Sequence, residues 1–298
     1  MNRNLAMLLV GLAGICWASS GVAVQDFFMH SDKSPMELTN IRMCAAGALM
    51  MLILFLRGKF LKSFVRIRMK KYLLIYLALY GIIGVVMVQY TYFEAISIGG
   101  AAATTVILSA TPAMVVVWES FYKKKLPRRA EIFAVIFAIC GVFFLVTGGN
   151  FSKLLVPPMC IVWSLSSGAV FAFSMIFGKY LFAEKIDPIF MTSTGMFFGG
   201  LLTFLFIDNK SWTGFFQFEV IFNVLWIIIF GTAIAFSIFN AGLKFLSAEE
   251  AAITSTTEPA SSVVISYFVF GTTFGLIEMF GIFLVLVAII LPVILKKF

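Results

Sequence analysis

The sequence predicts an all-α integral membrane protein. Its ten transmembrane helices are expected to form two inverted five-helix repeats, with both termini cytoplasmic. Three observations predict this fold. Of 298 residues, 61% are hydrophobic and 12% charged, a balance that marks a polytopic membrane protein rather than a soluble domain. The apolar residues gather into runs long enough to cross a bilayer, at about 18 residues or more each. Lysines and arginines crowd the connections on one side only, and short motifs of the first half recur in the second.

In chain order, spans are expected near residues 5 to 26, 36 to 56, 72 to 95, 101 to 122, 131 to 148, 158 to 181, 188 to 207, 220 to 245, 248 to 270 and 277 to 295. Arg3 followed by an apolar run from Leu5 resembles a signal peptide, but nine further spans make it a first membrane helix. The short connections leave no room for a soluble domain. The 35 phenylalanines and 15 methionines suit lipid contact and helix packing. Cys16, Cys44, Cys140 and Cys160 have no metal-type spacing, so packed free thiols are expected, with no metal and no cofactor.

Charge orients the chain. With the N-terminus inside, eighteen lysines and arginines fall on the inner side, most of them between Arg57 and Lys71 and between Lys123 and Arg129. Three, Lys33, Lys153 and Lys210, fall outside. That asymmetry obeys the positive-inside rule, and it assigns the net charge of +8 to inner loops rather than to nucleic acid.

At a shift of 147 residues, Pro112-Ala113, Val116-Val117 and Phe121 coincide with Pro259-Ala260, Val263-Val264 and Phe268. At 146, Phe93-Glu94-Ala95 coincides with Phe239-Asn240-Ala241. At 154, Gly14-x-x-Trp17-Ala18-x-Ser20 coincides with Gly168-x-x-Phe171-Ala172-x-Ser174. The order of these blocks predicts two five-helix units, 1–150 and 151–298. Five is odd, so the second unit enters the membrane from the opposite side, and the basic 123–129 loop has an uncharged counterpart at 271–275. Inverted repeats of this kind place solute sites at mid-membrane, between the halves.

The ninth span is the polar one. It carries Ser255, Thr256, Thr257, Glu258, Pro259, Ser261 and Ser262, and a carboxylate at the bilayer centre costs about 2.5 kcal/mol or more unless solvated, paired or protonated. Pro259 lacks an N–H and frees the carbonyl of Ser255; Pro112 frees that of Leu108 in the same way.

With the first-helix Gly14-x-x-Trp17-Ala18, the Tyr92-Phe93-x-Ala95-Ile96 ending the third span, Pro112 and Glu258-Pro259, the whole chain resembles the drug/metabolite transporter superfamily, and within it the EamA-type transporters. It departs where the family often carries Gly-Glu before the turn to the last helix of each half; Lys124 and Gly271 stand there. The resemblance implies a cavity between the halves, lined by the first, third, fourth, sixth, eighth and ninth helices. It implies substrates among amino acids, other small metabolites or drugs, exported or exchanged.

Ala251, Thr254, Glu258, Ser261 and Ser262 share one helical face. Glu258 is either a substrate-amine ligand or proton carrier, or a structural carboxylate bracing the proline. Thr111 is its repeat counterpart, with Thr104 on the same face, and these hydroxyls line either a site or a helix contact. Glu94 and Asn240 are equivalent late in the third and eighth spans, as ligands, gating groups or interhelical links. Trp17 with Ser20 and Phe171 with Ser174 pair an aromatic with a hydroxyl one turn on, which suits either a substrate wall or packing. Arg42 is expected to pair with Asp26 or Glu37 near the outer surface, or to extend outward to it. Glu119 is expected to meet Lys123, and Lys179 and Lys244 to anchor inner helix ends.

No P-loop, nucleophile elbow or His-Glu-x-x-His motif is present, so neither an enzyme nor an ATP-driven pump is expected. The predicted function is a secondary active transporter of a small polar metabolite working by alternating access, with Glu258 the candidate proton carrier. An uncoupled facilitator and a non-transporting sensor or assembly protein on the same fold are the alternatives. The expected partners are the solute and the bilayer, with the chain as monomer or homodimer.

Overall fold

The computed structural model describes residues 2–124, 126, 128–150, 153–184, 186–207, 215, 217–243, 245–246, 254 and 257–294. Regular structure among them is helical throughout. The long helices are α1 (Arg3–His30), α2 (Pro35–Leu56), α4 (Tyr72–Gly99), α7 (Arg129–Thr147), α8 (Pro158–Ala183), α9 (Pro188–Thr203), α10 (residues 218–243) and α12 (Leu276–Ile294). Between them lie α3 (Phe60–Met69), α5 (Ala101–Leu108), α6 (Thr111–Lys123) and α11 (Thr257–Phe270). Counting residues 101–118 as one, seven helices among the described residues are long and apolar enough to cross a membrane, and Ile132–Thr147 and Leu276–Ala288 are shorter apolar helices. This is a multi-pass membrane architecture.

Local chemistry sets the helix ends. Ser34 and Glu37 form a capping box at the start of α2, with Pro35 in its first turn. Asp187 caps α9 by accepting from the Ile189 N–H, again with a proline following. Gly100, at φ +78°, turns α4 directly into α5, and the Gln25 side chain accepts from the Ala101 N–H at 2.8 Å to close that turn. The break expected around Pro112 falls at Ser109–Ala110, with Pro112 at the second position of α6. The carbonyl of Leu108 is indeed released, but the Thr111 hydroxyl takes it at 2.6 Å, so local structure uses it. The corresponding carbonyl of Ser255 lies outside the described residues.

Two features were not expected from the sequence. The basic stretch after α2 is not a bare loop: residues 60–69 form α3, whose Phe60 ring packs 5.0 Å from that of Phe190 on α9. Also, α4 and α10 are not uniformly α-helical. Each widens into a π-helical stretch, Tyr80–Met87 in α4 and Ile229–Ile234 in α10, a winding that often marks functional positions.

The helices pack in a regular scheme. α1 lies against α10 and α11; α8 lies against α4, α5 and α6; α2 pairs with α9, and α7 with α12. Glycines permit the closest approaches. A Cβ on Gly47 of α2 would meet the Phe197 backbone nitrogen at 2.6 Å, and one on Gly81 of α4 would meet the Gly195 Cα at 2.9 Å, so these crossings need small residues. At the α2–α9 contact the buried Asn40 amide donates to the Gly200 carbonyl at 2.7 Å and the Thr203 hydroxyl at 3.0 Å. Asn40→Leu removes both bonds and is expected to destabilise the folded protein by about 1–2 kcal/mol. A thermal-unfolding midpoint in detergent no lower than that of the native chain would contradict this.

Candidate functional site

Helix packing leaves a cavity of about 310 Å³ inside the bundle. Its walls come from α1, α2, α4, α5, α8, α9, α10 and α11. Among the described residues, the two helices α7 and α12, which pair with each other, contribute nothing to them.

On α1, Trp17 packs its ring against Phe236 at 5.2 Å and Phe239 at 5.0 Å, both on α10. Together with Phe171 they make an aromatic wall. Ser20 is 2% exposed and fits against the π-helical stretch of α10, where only a glycine, Gly231, leaves it room. Across the cavity the relation is repeated with the partners exchanged. Ser174 on α8 fits against Gly84 in the π-helical stretch of α4, where a Cβ would stand 3.2 Å from its oxygen. Gly14 and Gly168 are matched too. A Cβ on Gly14 would stand 3.0 Å from the Glu258 backbone nitrogen, and one on Gly168 would stand 2.9 Å from the Thr111 hydroxyl.

Glu258 stands in the first turn of α11 and its side chain reaches the cavity. Next to it, the Thr257 hydroxyl donates to the Gly11 carbonyl of α1 at 2.8 Å, which fixes the entry of α11 against α1. Pro259 is buried in the same turn.

Arg42 overturns its sequence-based placement. It does not reach the outer surface and pairs with neither Asp26 nor Glu37. Asp26 accepts from the Asn223 amide at 2.6 Å, and Glu37 binds Lys33 and the Ser34 N–H. Arg42 is 3% exposed and lines the cavity. Its Nε–H donates to the Thr232 hydroxyl at 2.7 Å, one terminal N–H donates to the Gly231 carbonyl at 3.1 Å, and the guanidinium lies 5.1 Å from the Phe93 ring. Both acceptors belong to the π-helical stretch of α10, where the Thr232 hydroxyl in turn donates to the Ile227 carbonyl. Packing of α2 against α9 and α10 closes the outward path, so the guanidinium turns inward to those acceptors. Arg42 and Glu258 are within electrostatic reach of each other, and no ion pair joins them among the described residues.

Of the polar and aromatic positions singled out in the sequence, the structure brings Trp17, Ser20, Phe171, Ser174, Asn240 and Glu258 to this cavity. It leaves the others off its walls. Thr104 is fully buried in helix packing, 3.7 Å from the Cys160 sulfur. Thr111 caps Leu108, and Ser262 is enclosed at 0% exposure. Ser261 and Thr254 are partly exposed but are not among the lining residues, and a Cβ on Gly11 would touch the Thr254 methyl at 3.6 Å. Glu94 lies one turn from Tyr90, with which it interacts near the end of α4. The side chains of Pro112, Glu119, Lys123 and Lys179, together with all of Ala251, Lys185 and Lys244, lie outside what the structure describes.

Sequence reasoning passed over Tyr80, Gln89 and Thr192 and used Tyr92 only for the family resemblance; all four also line the cavity, and none of its walls was assigned to α2 or α9. Gln89 and Tyr92 carried a readable signal, two polar groups three residues apart in an apolar span. Three of the lining residues, Ser20, Tyr92 and Asn240, each carry a polar atom (the two hydroxyls and the amide nitrogen) that is enclosed in packing and has no hydrogen-bond partner among the described residues.

The model of the EamA-like transporter family matches residues 4–147 and again 158–294. The chain belongs to the EamA-like transporter family. It is a multi-pass membrane transporter of small solutes. A similar chain is the uncharacterized inner membrane transporter YicL of Salmonella typhimurium, 28% identical over 290 residues that span 97% of this chain and 95% of that one. A crystal structure of a protein 16% identical in sequence superposes at a TM-score of 0.70 over 99% of both chains, a likeness of fold. The family model thus matches the chain twice, and Ser20–Gly231 and Ser174–Gly84 are equivalent contacts drawn from the two matched stretches.

Proposed function

We propose that this EamA-like transporter is a secondary active transporter of the cell membrane that exports or exchanges a small polar metabolite, an amino acid or related compound, by alternating access. In this reading ten spans form two inverted five-helix halves, 1–150 and 151–298, with both termini cytoplasmic and the chain acting as monomer or homodimer. The helix pairings support it. Exchanging first-half helices for their second-half counterparts turns α1 on α10 and α11 into α8 on α4 and α5–α6, and maps α2–α9 and α7–α12 onto themselves.

One observation carries the functional reading: a cavity inside the bundle lined by a carboxylate, that of Glu258, and a guanidinium, that of Arg42, within an aromatic shell. A scaffold has no use for such groups, which cost free energy where nothing meets them. A solute entering from either face meets them once the halves rock. Glu258 is the group placed to exchange a proton for the solute, because binding can drive the rocking only if proton and solute favour different states.

The test is transport in proteoliposomes, by counterflow of labelled amino acids with and without an imposed pH gradient. Solute movement that responds to the gradient is expected. Movement indifferent to it leaves an uncoupled facilitator, and no movement of any solute in a broad panel overturns the transporter mechanism.

A further inference from the structure

From the residues that α3 leaves uncovered we infer that this helix lies in the membrane surface as a docking site for anionic phospholipid. Its apolar side meets the acyl chains and its lysines and arginines meet the headgroup phosphates. The segment is the connection between α2 and α4, none of which lines the cavity, and the inference does not depend on what the cavity carries.

The chain is tied to the bilayer at both ends of α3. α2 ends at Leu56 and α4 starts at Tyr72, each a helix long and apolar enough to cross a membrane. Only Arg57–Lys59 and Lys70–Lys71 intervene, a reach of about 10 Å at most, so α3 stays at the surface. Gly58, at φ +66°, supplies the turn out of α2. Its N–H donates to the Phe55 carbonyl at 2.9 Å and the Lys59 N–H donates to the Leu54 carbonyl at 3.2 Å, which closes the end of α2 and sends the chain off its axis. One side of α3 is committed to the protein. Ser63 and Ile67 are buried, and Phe60 packs on Phe190 of α9. Just past the helix, the Lys70 ammonium and the Tyr72 hydroxyl both donate to Glu184 at the end of α8, at 2.6 and 3.1 Å.

The rest of the helix divides by chemistry. Leu61, Phe64, Val65 and Arg68 recur at spacings of three and four and so share one side, and the three apolar residues are 58%, 49% and 54% exposed. Lys62 stands on the other exposed side. Arg57, Lys59, Lys62, Arg68 and Lys71 are all exposed, and none is paired with a carboxylate among the described residues. Glu184, the acid at hand, is taken by Lys70. Water answers the cations and leaves Leu61, Phe64 and Val65 uncovered; a soluble acidic partner does the same. Anionic phospholipid answers both, because chain and phosphate come in one molecule at the depth where an interfacial helix lies. Arg68 suits the boundary between them, with an apolar stem for the chains and a planar guanidinium whose donors match phosphate oxygens.

The experiment is native mass spectrometry of the purified full-length protein in detergent, titrated separately with phosphatidylglycerol and phosphatidylcholine of the same acyl chains. Phosphatidylglycerol is expected to bind about tenfold or more tightly than the zwitterionic lipid. A cation near an anionic surface is worth about fivefold, so Lys62→Gln combined with Arg68→Gln is expected to weaken the tightest phosphatidylglycerol site roughly twentyfold. Lys124→Gln combined with Arg129→Gln makes the same change of charge in the connection before α7 and is expected to leave that site unchanged. Glycerol 3-phosphate, which carries the phosphate without the chains, is expected not to displace the lipid. Equal binding of the two lipids by the native protein, displacement by glycerol 3-phosphate, or a loss from the α3 pair no greater than that from the control pair overturns the inference. The first two comparisons use the native protein alone, so the inference is tested even if a variant fails to fold.

Discussion

Glu258→Gln is expected to abolish pH-driven accumulation of solute while leaving the protein folded. An inward proton gradient of one pH unit is worth about 1.4 kcal/mol per proton, so one-for-one exchange at zero membrane potential sustains about a tenfold solute ratio across the membrane. The native protein should approach that ratio and the glutamine variant should fall to unity. Glutamine keeps the shape and polarity of the side chain, and the entry of α11 is held by the Thr257–Gly11 bond and by the fit of Gly14 against the Glu258 backbone, neither of which involves the carboxylate. Loss of fold is therefore not the expected cause of the defect, and an unshifted unfolding midpoint checks this. Accumulation in the variant equal to the native level would remove Glu258 from the coupling step and leave it a solute ligand or a structural group.

Gly141→Val should produce the largest loss of stability of any single substitution away from the cavity. Here α7 and α12 touch backbone to backbone. A Cβ on Gly141 would stand 2.6 Å from the Gly281 carbonyl oxygen and 2.9 Å from the Val285 nitrogen; one on Gly281 would stand 2.6 Å from the Gly141 oxygen and 2.7 Å from the Leu145 nitrogen. The obstacles are main-chain atoms, which no rotamer change moves aside, so the helices must separate along a contact that also buries Ala138 and Ala288. Overpacking of this kind costs about 1–3 kcal/mol, and occasionally more when backbone must shift. Gly11→Ala is the matched control. Its Cβ would meet only the Thr254 and Thr257 methyls at 3.6 Å, an ordinary contact, and alanine gains about 1 kcal/mol of helix propensity over glycine. Unfolding midpoints in detergent should therefore fall for Gly141→Val and hold or rise for Gly11→Ala. An unaffected Gly141→Val would mean that α7 and α12 do not meet at these glycines.

Much of this protein could be read along the chain. Long apolar runs become helices because a bilayer leaves the backbone no other way to satisfy its polar groups. Pro112 marked the break in the fourth span because a missing N–H is a local defect, and it falls within two residues of the expected place. The positions that recur between the halves, Trp17 with Phe171 and Ser20 with Ser174, could be aligned from sequence because a repeat preserves order and spacing, and all four face the cavity.

Tertiary structure alone decided what each polar face meets. Thr104 and Thr111 present the same hydroxyl chemistry as Ser20, yet one is packed beside Cys160 and the other closes its own helix break. Arg42 shows the limit most clearly. Its immediate neighbours in sequence offered only Asp26, Glu37 or the membrane surface as partners. The acceptors that hold it, Thr232 and Gly231, lie about 190 residues away, in the π-helical stretch of α10. Helical periodicity tells which residues share a face. Which face closes on which is a property of ridges, glycine gaps and buried charges meeting across the bundle, and those partners exist only once the helices have packed together.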